Sequence, residues 1–153
     1  MVDQQLHEVI GFPIGNEYDV TVRLMSPSDI PELQKMSLIR GQKTVFWYGA
    51  ITLVAEFEHR IVGFTQYYIS VDMILHSDTI RIAPDMKGKG IGGMLTEVKE
   101  AIAIKVGARV HMHMVSHNGE IALKKILTKM GFHLCQRHGP TEFWVKSFNE
   151  GDL

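Results

Sequence analysis

The chain has 153 residues, 45% hydrophobic and 22% charged, and this composition fits one globular domain with a single core. Sixteen basic against seventeen acidic residues leave a net charge of −1, so no overall basic field invites a nucleic-acid partner and none is expected. A lone cysteine, Cys135, excludes an internal disulfide, no apolar run is long enough to span a bilayer, and the first residues lack the layout of a signal peptide, so a cytoplasmic protein without a membrane partner is expected.

Residues 1–18 lack clear periodicity and contain Gly11, Pro13 and Gly15; they read as an N-terminal extension that packs loosely or lends a short strand. Residues 19–24 alternate polar and apolar, as a half-buried strand does. A helix start follows, with Ser26 as cap, Pro27 at the first position and Asp29 in the first turn. Ile30, Leu33 and Ser37 or Leu38 mark a short helix that Gly41 ends. Residues 43–49 are aromatic, with Phe46, Trp47 and Tyr48, and suit core packing, a lid or a substrate-facing wall. Residues 51–57 and 61–69 are strands joined in a hairpin across Glu58, His59 and Arg60, and the next run, 73–82, pairs onto it.

That run ends at Pro84 and feeds Lys87, Gly88, Lys89, Gly90, Ile91, Gly92 and Gly93. Behind them Ile91, Met94, Leu95, Val98 and Ile102 follow helical spacing, with Gly107 as the left-handed cap. Strand, glycine turn, helix is an arrangement that suits a phosphate or pyrophosphate: glycine admits close approach, and the first helical N–H groups carry the positive end of the dipole. Lys87 and Lys89 add charge. The dinucleotide fingerprint is met by Gly88, Gly90 and Gly93, but it wants a carboxylate on the next strand, residues 110–115, which has none. A Walker loop wants Ser or Thr after Gly88–Lys89 and finds Gly90. A turn that only joins a strand to a packed helix is the plain alternative. Beyond it, Asn118 can cap a second helix carrying Ala122, Leu123, Ile126, Leu127 and Met130, stopped by Gly131, and a closing hairpin follows, its first strand running from Phe132 to Cys135 and its second from Thr141 to Val145. Cys135 reads as a small apolar residue buried on that late strand.

The stretch from Ile82 through Gly92 to Leu95 resembles the acyl-CoA signature of the GNAT superfamily of N-acyltransferases, written Gln/Arg-x-x-Gly-x-Gly/Ala at a strand-to-helix junction. Lys87 stands at its Gln/Arg position. Residues 22–33 resemble the opening of many GNAT domains, and Asn118 through Phe132 the C-terminal motif. The resemblance covers about residues 19–148 and implies one domain over 1–153 of α+β class. Its mixed, mostly antiparallel twisted sheet would have about six to seven strands, helices on both faces and one splayed parallel pair, here 73–82 with 110–115. It implies transfer of an acetyl or other acyl group from acetyl-CoA to a primary amine, by direct attack in a ternary complex and without a metal. The acceptor is a small-molecule or peptide amine, and a homodimer is compatible with the family.

Carried over by position, the turn residues Lys87 to Gly93 and Asn118 hold coenzyme A, backbone groups near Ile82 pair with pantetheine, and the Ile82 amide bonds the thioester oxygen. Counting back from the turn, the base glutamate of histone-type members falls on His76, which titrates near neutrality but also reads as a structural histidine on a half-exposed strand. Asp78, two positions on, is expected on the same side of the strand, where it would orient His76, attract a cationic amine or act as the base itself. One departure stands out: many members carry a tyrosine four residues before the Gly-Phe to protonate the leaving thiolate, and here that position is Leu127, with no tyrosine after Tyr68. Tyr67, Tyr68, Ser116 and His117 are the candidate stand-ins. His111 and His113 alternate on one strand with His117 nearby, which suits a pocket lining or surface better than a metal site. Two other functions stay open, a CoA-binding protein with little catalysis and an enzyme acting on a nucleobase or tRNA.

Overall fold

The computed structural model describes residues 14–39, 50–116 and 121–148, and for Ser37, Leu38, Ile39 and Asp78 the backbone alone. Its elements in chain order are β1 (Ile14–Gly15), β2 (Thr21–Leu24), α1 (Ile30–Ile39), β3 (Ile51–Phe57), β4 (Arg60–Ile69), β5 (Ile74–Ile82), α2 (Ile91–Lys105), β6 (Val110–Ser116), α3 (Ile121–Lys129), β7 (His133–His138) and β8 (Thr141–Ser147). The eight strands form one sheet in the order β1-β2-β3-β4-β5-β6-β8-β7, and β5 with β6 is its one parallel pair. Six to seven strands were expected; the two-residue β1, which the extension lends to the edge of β2, brings the number to eight.

Local signals were placed as their chemistry requires. A short 3-10 turn, Pro27–Asp29, opens α1; there the Asp29 carboxylate accepts the Ser26 N–H at 2.8 Å and is clasped by Arg23 at 2.8 and 3.0 Å. The β3–β4 hairpin turns on Glu58 and His59, both at positive φ, the backbone of a type I′ turn without its usual Asn-Gly. Val54, Ile61 and Phe64 pack with Leu33 of α1, while Leu53, Ala55 and Val62 pack with Ile91, Leu95 and Val98 of α2. Neighbouring strand residues point to opposite faces, so α1 covers one face and α2 the other, where Leu123 and Leu127 of α3 join it. Gly63 lets α2 start close to the sheet: a Cβ there would lie 3.1 Å from the Arg81 carbonyl oxygen and 3.1 Å from Ile91.

Parallel pairing of β5 with β6 runs through four rungs, from Ile74–Val110 to Ser77–His113, and then stops. Beyond it β5 continues to Ile82 against β4 alone, and β6 continues to Ser116 against β8 alone. The split begins beside a bulge, because Tyr67 pairs with Ser77 and Gln66 with Thr79, leaving Asp78 as the extra residue. The side chain of Asp78, expected on the same side of the strand as His76, lies outside the described residues. An extra residue shifts the alternation, and in the paired register Thr79 takes the place on that face, across from Gln66.

A buried polar chain braces the last closed rungs. The Ser77 hydroxyl lies 2.6 Å from His111 Nε2, His111 Nδ1 lies 2.7 Å from one oxygen of Glu100, and Lys146 donates to the other at 2.8 Å. Ser77, His111 and Glu100 are buried, so β5, β6, α2 and β8 are tied in a low-dielectric setting where each bond is hard to replace. Beside it, the fully buried Lys99 donates to Thr65 Oγ1 at 2.9 Å. His111 and His113, expected at a pocket wall or the surface, are both fully buried on the α2 face. Cys135, expected buried, is exposed, because β7 is the edge strand and all its residues face solvent.

Burial, reinforced by the positive charge of Lys99, holds His111 and His113 well below the ordinary histidine pKa. Both are therefore neutral in the folded protein, whereas the unfolded chain takes up protons as pH drops below about 6.5. Their stabilisation is complete above that pH and is lost on acidification, at up to about 1.4 kcal/mol per pH unit for each histidine. Urea unfolding between pH 7.5 and 5.5 should give a falling midpoint, with a shallower fall in His113→Leu; a flat midpoint in the wild type would contradict this.

Candidate functional site

Between α2 and α3 lies a cleft of about 1060 Å³, at the upper end of the range for small-molecule sites. Its mouth is the glycine turn, where Lys87, Gly88, Gly90, Ile91, Gly92 and Gly93 contribute to the wall, and its sides are Ile80, Ile82, Ile126 and Met130. Gly88 and Gly90 adopt positive φ, and Gly90 sits at the N-cap of α2 in the left-handed region. That geometry turns the chain sharply from β5 into the helix and aims the first N–H groups of α2 outward. A Cβ at Gly88, Gly90 or Gly93 would meet nothing within 4 Å, so these three border open space. At Gly92 it would lie 3.1 Å from Ile126, which makes this glycine the close-packing point between α2 and α3. Lys87 and Lys129 are exposed cations at the wall, whereas Lys89 turns away to lie 5.4 Å from the ring centre of Tyr18. An Arg60–Asp85 ion pair of 2.7 Å links the start of β4 to the 3-10 turn Pro84–Met86 that leads into the glycines.

The cleft follows the edge of β5 where β6 has separated from it. Ala83 donates its N–H to the Val62 carbonyl at 2.8 Å. In an antiparallel ladder the pairs Gly63–Ile82 and Thr65–Ile80 are then of the non-hydrogen-bonded kind, so Ile80 and Ile82 direct their backbone groups toward the gap. Farther in, Glu100 and Lys146 of the buried chain, together with Glu97, contribute to the cleft wall.

His76 lies on the opposite face. Tyr67 and Ser77 are paired on the α2 side, so the next pair, Tyr68–His76, looks the other way. The two rings stack with centroids 4.7 Å apart and planes inclined by 5°. His76 Nε2 lies 3.1 Å from the Ser70 hydroxyl on the β4–β5 turn. Partial burial lowers the His76 pKa, and the nearby Asp72 charge works against that shift.

The fold thus brings Ile82 and the glycine turn to one cleft and places His76 across the sheet from it, one rung before the split. Asp78 marks the bulge, and its side chain lies outside the described residues, as do Asn118, His117 and the aromatic stretch 43–49. Of the stand-ins for the missing tyrosine, Tyr67 is buried with its phenol pushed up to about 12, Tyr68 stacks on His76, and Ser116 ends β6 exposed. Leu127 is fully buried in the core. Sequence reasoning missed Glu97, Glu100, Lys129 and Lys146 in the cleft, and Ser70 and Asp72 beside His76. Only Glu97 and Glu100 carried a local signal, two carboxylates three apart on a helix that otherwise buries one face. Among the described residues no group of three or more His, Cys, Asp or Glu is arranged to hold a metal ion, and no helix is long and apolar enough to cross a membrane.

These features have counterparts among known proteins. A family model described as an acetyltransferase (GNAT) domain matches residues 48–134, more than half of the chain. A comparison with curated proteins found no match. Among solved structures, the PaiA N-acetyltransferase from Thermoplasma acidophilum in complex with coenzyme A aligns with a TM-score of 0.73 at 15% identity, over 84% of this chain and 99% of that one. The ribosomal-protein-S18-alanine N-acetyltransferase from Escherichia coli gives 0.72 at 12% identity, over 84% and 93%, and a nourseothricin acetyltransferase 0.68 at 18%, over 84% and 98%. Identities this low speak for the fold and not for the acceptor, and the family model carries the assignment: the chain belongs to the GNAT acetyltransferase family.

Proposed function

We propose that this protein is an acyl-CoA-dependent N-acyltransferase that moves an acetyl group from acetyl-CoA to a primary amine of a small molecule or peptide, by direct attack with both substrates bound. The observation that carries the reading is the opened edge of β5, which runs from the glycine turn along the cleft toward the rung beside His76. The donor side fits coenzyme A. Open space over Gly88, Gly90 and Gly93 leaves room for a pyrophosphate at the α2 N-terminus, with Lys87 and Lys129 as cations. Pantetheine can run along the cleft side that Ile80 and Ile82 form.

The acceptor approaches from the α1 face, so the split in the sheet is where amine and thioester meet. An amine attacks only when neutral, and His76, itself neutral at physiological pH, takes its proton directly or through water. Departure of coenzyme A tolerates Leu127 in place of an acid, because a thiol of pKa about 8.5 leaves readily as thiolate and is protonated by water in the open cleft.

Two experiments test the halves separately. Acetyl-CoA at about 100 times its dissociation constant should raise stability by roughly 2.7 kcal/mol. Gly93→Asp adds a carboxylate into open space in the first turn of α2, where it suits the helix dipole but repels a pyrophosphate. The variant should stay folded and bind coenzyme A about tenfold more weakly or worse, read by calorimetry; unchanged affinity would remove the glycine turn from the site. For the acceptor side, kcat against pH should rise along a limb below the ordinary histidine value of about 6.5, since burial lowers the His76 pKa and the neutral form is the working one. His76→Ala should erase that limb and lower kcat by a factor of about 10²–10⁴ with acetyl-CoA affinity retained. Binding of acetyl-CoA without thiol release across a panel of amines would instead identify a CoA-binding protein with little catalysis.

A further inference from the structure

We propose that Ser70 and Asp72, on the turn between β4 and β5, are positioning residues for His76, holding its Nε2–H so that Nδ1 is the atom that takes the acceptor's proton. The inference rests on His76 being the base and adds which nitrogen acts and what aims it.

The assignment follows from counting protons on one hydroxyl. Ser70 Oγ has four neighbours: a carboxylate oxygen of Asp72, His76 Nε2 at 3.1 Å, the Ile74 N–H at 3.3 Å and the Ile74 carbonyl oxygen at 3.2 Å. A hydroxyl donates one proton and accepts at two lone pairs, and an ionised carboxylate only accepts. The Asp72 carboxylate can only accept, and the Ile74 carbonyl already accepts the Ser70 N–H, so the Ser70 proton goes to Asp72 and the two lone pairs accept from Ile74 N–H and from His76 Nε2–H. The reverse arrangement, with Ser70 donating to Nε2, would press the hydroxyl oxygen against a carboxylate with no proton between them. Neutral His76 therefore carries its proton on Nε2 and keeps the Nδ1 lone pair in the ring plane.

The surroundings hold that plane. Tyr68 stacks on the ring across the strand pair. The turn itself is pinned by Ser70 N–H to the Ile74 carbonyl at 3.0 Å and Met73 N–H to the Ser70 carbonyl at 2.9 Å, with Met73 at positive φ. The charged or titratable groups around His76 are Asp72 on the turn, Tyr68 on β4, His111 on β6 and, on its own strand, Asp78, whose backbone alone is described. Of these Asp72 raises the His76 pKa and so strengthens the base.

The test has one readout independent of turnover. Long-range ¹H–¹⁵N correlation of the histidine-labelled protein above pH 7 should show His76 with a protonated Nε2 and an unprotonated Nδ1; the opposite tautomer overturns the proposal. In kinetics, Asp72→Asn should move the acid limb of the kcat profile to lower pH, because the charge that raised the pKa is gone. Ser70→Ala should lower kcat about tenfold or more, a part of the 10²–10⁴ that a positioned base contributes, with KM for acetyl-CoA unchanged and with recovery in Ser70→Thr. If His76→Ala is slow while Ser70→Ala and Asp72→Asn keep the wild-type rate and profile, the positioning role fails and the base survives. If His76→Ala keeps wild-type kcat, the base reading itself has failed.

Discussion

Everything at the site depends on where the hydrogen bonding between β5 and β6 stops. Parallel strands are ordinarily buried and fully laddered, so a pair that opens in the middle of a sheet needs something to hold the closed part shut. Here that is the chain from Ser77 through His111 and Glu100 to Lys146, which crosses the last rungs and ties both strands to α2 and to β8. Past it the Asp78 bulge alters the register against β4, and the edge of β5 from Ile80 to Ile82 turns its backbone toward space that β6 no longer reaches.

The split also connects the two faces of the sheet. On one face α2 and α3 form the cleft, polar and cationic at its mouth and apolar along its sides. On the other lies the Tyr68–His76 pair, Tyr68 exposed and His76 partly buried with its Nε2 against Ser70 of the hairpin turn. Glu100 belongs to both parts, since it braces the closed rungs and contributes to the inner wall of the cleft. Burial pushes its pKa up while Lys146 and Lys99 pull it down, so its charge state is set by neighbours that the fold assembles.

Most of the strand and helix pattern was legible because it follows from local rules. The β3–β4 hairpin, the capped entry to α1 and the glycine stops of α2 and α3 each depend on residues within a few positions of one another. The glycine turn was legible for the same reason: positive φ at Gly88 and Gly90 is a property of those residues and their neighbours. What local pattern misjudged was burial. Cys135 follows the apolar Leu134, but its place on the edge strand, at a register shift against β8, exposes it, whereas His111 and His113 look polar and lie at the centre. Position in the sheet order decides such cases, and no short window of sequence contains it.

The sequence by itself determined the order of elements, the strand–glycine–helix junction, and the absence of a tyrosine at the Leu127 position. These are statements about residue type and spacing, and backbone sterics and helix dipoles act over those distances. Only the tertiary structure decided that Gly92 packs against Ile126 while Gly93 borders open space, that Asp78 is the bulged residue, and that the Ser70 hydroxyl lies between Asp72 and His76. It alone joined Ser77, His111 and Glu100, whose partners stand 34 and 11 residues apart in the chain. The reason is physical: a bulge, a buried hydrogen bond and a close approach are relations between surfaces, and they exist only once distant segments have been packed together.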